Sequence, residues 1–145
     1  MNKTEDDNAD ESEKSTIFQD IQLTNETILS ILIFVPALIL TLMSSLLTKR
    51  ILVGSLNNIN IEASPTPSQL SVAAGKLILI GLIVAGDVAY KRFIQKSQQN
   101  LEQNELEPYR IFLFVAVIRI IVSALALFAT TEVAQISEIK ITQEV

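Results

Sequence analysis

Apolar residues in this chain come in three long blocks, roughly 28–47, 71–90 and 111–130, with the polar residues gathered between them. Each block holds about twenty residues, and twenty helical residues rise about 30 Å, the thickness of a bilayer's hydrocarbon core. A water-soluble domain spreads its apolar positions at the strand or helix period instead. The pattern predicts an all-α integral membrane protein, a bundle of three transmembrane helices. Its parts are a disordered acidic tail over 1–27, a transmembrane domain over 28–130 and a C-terminal tail over 131–145.

The first block, ILSILIFVPALILTLMSSLL, carries no charge, and Pro36 lies near its centre. Proline removes one backbone hydrogen bond and crowds the preceding turn, so Pro36 is a candidate kink, either a passive bend or a hinge. Before the block, Ile17, Phe18, Ile21 and Leu23 suggest a short interfacial turn. Lys49 and Arg50 close the span and can reach the headgroups. Residues 51–61 then read as a helical extension or an interfacial segment. The loop over 62–69 contains Pro65 and Pro67 and should be extended, with Ser68 or Ser71 capping the next helix.

The second block, SVAAGKLILIGLIVAGDVAY, has Lys76 and Asp87 toward its two ends. Lys76 reads as an interface anchor. It shares a helix face with Asp87, which suggests a polar stripe turned to the bundle interior. Gly81, Ala85 and Ala89 recur every fourth residue and form a candidate helix-packing stripe, because small side chains let another helix approach closely. The connector over 91–110 reads as a helix leaving the membrane, stopped at Pro108, which then opens the third helix. The third block, IFLFVAVIRIIVSALALFAT, has Arg119 in its interior, and residues 131–145 read as a frayed extension.

Charge refines this layout. The net charge is −5, but residues 1–27 alone hold eight acids and two lysines, or −6; the rest, with eight acids and nine bases, is +1. An acidic tail suits neither nucleic acid nor an anionic lipid surface, so nucleic acid is not an expected partner. Cysteine, histidine and tryptophan are all absent. That removes disulfides, thiolate nucleophiles and the usual zinc, copper, haem and iron–sulfur ligands. No paired carboxylates, nucleophile with a base or phosphate-cradling glycine loop is present. No catalytic, cofactor-binding or metal-binding residue is expected, nor an enzymatic role. The two glycosylation-like triplets, at Asn2 and Asn25, are short enough to arise by chance.

The basic residues weakly orient the chain. With the N-terminus inside, the inner side carries Lys3, Lys14, Lys91, Arg92, Lys96 and Arg110, against Lys49, Arg50, Lys76 and Lys140 outside. The inner excess favours a cytoplasmic N-terminus; the expected location is the cell (plasma) membrane.

Arg119 lies roughly 13 Å into its span, at about 1.5 Å per residue. An arginine at that depth costs on the order of 2.5 kcal/mol or more on insertion scales. Asp87 is the compensating candidate. Helical side chains tilt toward the helix N-terminus, so Asp87 would lean inward and Arg119 outward, and the two form a candidate intramembrane ion pair. The pair is either a packing device, with a snorkelling Arg119 as its alternative, or the lining of a water-accessible path for an ion, proton or anionic ligand. Two functions follow. One is an accessory or self-associating subunit of a membrane assembly, with the bilayer and either a second copy or other membrane subunits as partners. The other is a small channel, pore former or transporter unit using Asp87 and Arg119. Three short spans with charged ends resemble the layout of phage holins, in layout alone.

Overall fold

A computed structural model describes the backbone of residues 3–99 and 103–143 and the side chains of residues 14–99 and 103–136. The chain is all-helical: α1 spans Lys3–Leu56, α2 Pro67–Ser97 and α3 Gln103–Gln143. The apolar blocks fall one in each helix, and all three helices are long and apolar enough to cross a membrane. The helices stand in a row. α2 packs against both neighbours, and among the described residues the backbones of α1 and α3 make no close approach to each other.

The seam between α1 and α2 repeats every seven residues. Leu23, Ser30, Ala37 and Ser44 are the buried positions on α1, and Ala74, Gly81 and Val88 answer them on α2. A seven-residue repeat keeps one narrow stripe of each helix facing the other. Most of these side chains are small, so the backbones approach closely. Phe34 fills the space over Gly81, where an added Cβ would stand 3.0 Å from two of its ring carbons. Ser44 ties the far end, its hydroxyl donating to the Pro67 carbonyl at 2.8 Å and lying 2.8 Å from the Ser71 hydroxyl.

The α2–α3 seam is nearly as extensive. Gly75 faces Leu127 and Gly86 faces Ile120. Within the most apolar window of α3 no residue is buried inside the chain.

Several element boundaries differ from those expected. Residues 14–27 are helical and dock on α2, where a disordered tail ending in an interfacial turn was expected. Leu23 is buried, Gln95 Nε2 donates to Asp20 Oδ1 at 3.1 Å, and Glu26 binds Lys91. These contacts hold a polar stretch that has little core of its own. The α1 backbone is helical from Lys3, and early acids favour a helix N-terminus. Pro36 sits inside α1 without ending it.

The helix instead ends after Leu56 through a cap. Asn58 takes a left-handed φ of 54°, Ile59 N–H donates to the Gly54 carbonyl, and Asn58 N–H donates to that of Ser55. This crossed pair satisfies carbonyls that the helix end leaves open. Thr66, rather than Ser68 or Ser71, caps α2. Its hydroxyl accepts from Gln69 N–H while the Gln69 side chain accepts from Thr66 N–H. Proline at the first helical position lacks the N–H that would go unused there. α2 continues to Ser97, and α3 begins at Gln103 and takes Pro108 inside it. The expected C-terminal extension is helical to Gln143.

Candidate functional site: a basic groove beside the central helix

Asp87 and Arg119 do not pair in this structure. Asp87 Oδ2 lies 2.7 Å from Lys91 Nζ, one turn further along α2. Lys91 Nζ also donates to both oxygens of Glu26, each at 2.9 Å. The ion pair that crosses between helices is therefore Glu26–Lys91, joining α1 to α2. The reason is angular. Asp87 and Arg119 stand at similar heights, since Gly86 meets Ile120. At about 100° per residue, however, Asp87 is roughly half a turn around α2 from Ala85 and Ala89. It shares the outward face with Lys76, Ile80 and Ile83, all exposed. The Lys76–Asp87 stripe thus exists, but it faces outward and not into the bundle.

Arg119 faces a groove of about 330 Å³, floored by α2 and walled by α1 and α3. Its apolar lining includes Leu82, Ala85, Val88, Ala89, Phe112 and Val115. Its polar lining is Thr27, Ser30, Arg92, Tyr109 and Arg119. Ala85 and Ala89 of the small-residue stripe therefore make groove wall, while Gly81 meets Phe34 of the same chain. The stripe is used within the chain at one end and left open at the other. The glycines that admit α3 are Gly75 and Gly86. Their eleven-residue spacing, close to three helical turns, was the signal in the sequence that marked a second face.

The groove has one sign of charge. It is lined by two arginines and no carboxylate. Among the described residues, no carboxylate lies within ion-pair distance of Arg92 or Arg119. The two hydroxyls on the α1 wall are occupied locally: Thr27 donates to the Leu23 carbonyl and Ser30 to the Thr27 carbonyl, both at 2.8 Å. The arginines are the groove's open donors. Among the described residues, no group of three or more acids capable of holding a metal ion is found.

No protein-family model matches this sequence, and no curated protein or solved structure matches it.

Proposed function

We propose that this chain is an integral membrane protein that works by association, as an accessory or self-associating subunit of a membrane assembly. The observation that carries this reading is the state of α3. It rests on α2 where Gly75 faces Leu127 and Gly86 faces Ile120, and no residue within its most apolar window is buried inside the chain. Its opposite face presents Phe114, Ile118, Ile121, Leu125 and Phe128, all exposed. Those positions alternate three and four residues apart, the spacing with which one helix inserts side chains between those of another. Such a stripe suits α3 of a second copy or a helix of a neighbouring subunit. The sequence ahead of the first apolar block is acidic, which suits a basic soluble partner on the same side. The excess of lysine and arginine on that side supports a cytoplasmic N-terminus, and the proposed location is the cell membrane.

Mass measurement of the full chain in nanodiscs tests the reading. A complex larger than the 16.0 kDa chain is expected, and replacing Ile121, Leu125 and Phe128 together by alanine should reduce it to single chains while insertion persists. Single chains from the unaltered protein, purified from its own membrane, would overturn the proposal.

A further inference from the structure

We propose that the basic groove is a binding site for one anionic phospholipid, its phosphate held between Arg92 and Arg119 and its acyl chains leaving between α1 and α3. This rests on the membrane reading above and adds a ligand to it.

Side-chain direction brings the two cations together. α2 and α3 run antiparallel, with Gly75 against Leu127 and Gly86 against Ile120. In that register Arg92 lies nearer the membrane surface and Arg119 deeper. Side chains tilt toward the N-terminus of their own helix. Arg92 therefore leans down into the groove, and Arg119 leans up toward Tyr109. Both line the same cavity, and neither has a carboxylate within ion-pair distance among the described residues. Guanidinium groups bind phosphate oxygens in pairs. A net-negative lipid supplies the counter-charge that no described residue places beside them.

Shape and access agree. Phosphate recognition by basic pockets between membrane helices is a general mode of lipid binding. At about 330 Å³ the cavity accommodates a headgroup and the first part of the chains. Because the backbones of α1 and α3 do not approach each other among the described residues, the groove has an open side through which acyl chains can pass into the bilayer. Leu82, which lies deeper than both arginines in this register, and Ala85, level with Arg119, offer them an apolar wall. Tyr109, at the upper end, has the amphipathic ring typical of the headgroup level.

The test is native mass spectrometry of the full chain released from nanodiscs of phosphatidylcholine with a minor fraction of phosphatidylglycerol. One phosphatidylglycerol should remain per chain, in preference to phosphatidylcholine. Arg92→Gln and Arg119→Gln should each weaken its retention about fivefold, the effect of one basic side chain on anionic-lipid binding. Ala85→Leu, which fills the groove without changing charge, should expel the lipid even if the arginine variants insert poorly. Lys49→Gln with Arg50→Gln, at the opposite end of α1, should leave retention unchanged. Equal retention of the two lipids, or retention unaffected by Ala85→Leu, would overturn the proposal. So would displacement of the lipid by millimolar inorganic phosphate, which would make the site one for a free anion. A chain that never enters the nanodisc would instead sink the membrane reading, and co-migration with the disc reports that separately.

Discussion

Lys91 stands between two carboxylates that play different parts. Glu26 reaches it from α1, with its side chain 24% exposed, while Asp87 reaches it from one turn away on the same helix and is 54% exposed. The first contact docks two helices; the second decorates one. Glu26→Gln should therefore lower the thermal unfolding midpoint in detergent more than Asp87→Asn does. Circular dichroism melts of the two variants under identical conditions check this, and an equal or reversed order would mean that α1 is not held by this pair. The same residues show where sequence reading reached its limit. The depths of Asp87 and Arg119 followed from their positions along the spans, and they do stand level. Their azimuth did not follow, because it depends on which face of α2 receives α3. The Asp87 side chain is then captured by Lys91, which the sequence marked as a competitor four residues on.

At the scale of elements, the apolar blocks located the helices because the blocks are what the helices bury or show to lipid. The ends were less legible. Capping by Thr66 depends on a reciprocal bond with Gln69, and the helical state of residues 14–27 depends on contacts with α2 some 65 to 75 residues away in sequence. Neither is a property of local hydropathy. The seven-residue repeat of Leu23, Ser30, Ala37 and Ser44 was present in the sequence, but its serines concealed it among apolar neighbours. The two seams should respond oppositely to an added methyl group. Gly81→Ala places a Cβ 3.0 Å from two atoms of a rigid phenyl ring, and overpacking of this kind costs about 1–3 kcal/mol. Gly75→Ala meets the movable end of Leu127 at 3.0 Å and gains up to about 1 kcal/mol in helix propensity. Denaturation of the two variants in mixed micelles should show Gly81→Ala destabilised and Gly75→Ala level or stabilised. Destabilisation of Gly75→Ala to the same degree would show that the α2–α3 seam is as tight as its neighbour.

At the scale of the whole molecule, the proposed membrane protein would have its α1–α2 loop and its α2–α3 connection on opposite sides, since all three helices are long and apolar enough to cross. The chain has no cysteine, so single cysteines report sidedness without background. Asn60→Cys and Gln99→Cys should label from opposite faces of sealed vesicles with an impermeant maleimide, Gln99→Cys from the cytoplasmic face. Labelling of both from one face would show that α2 does not cross. The helices stand in a row in the order in which they are made, and among the described residues each packs against those next to it in sequence. During synthesis, then, the seam between α1 and α2 can close as soon as Ser97 has left the ribosome, without waiting for any later segment. α3 emerges last, onto a finished hairpin, and the assembly of this chain can follow its translation helix by helix.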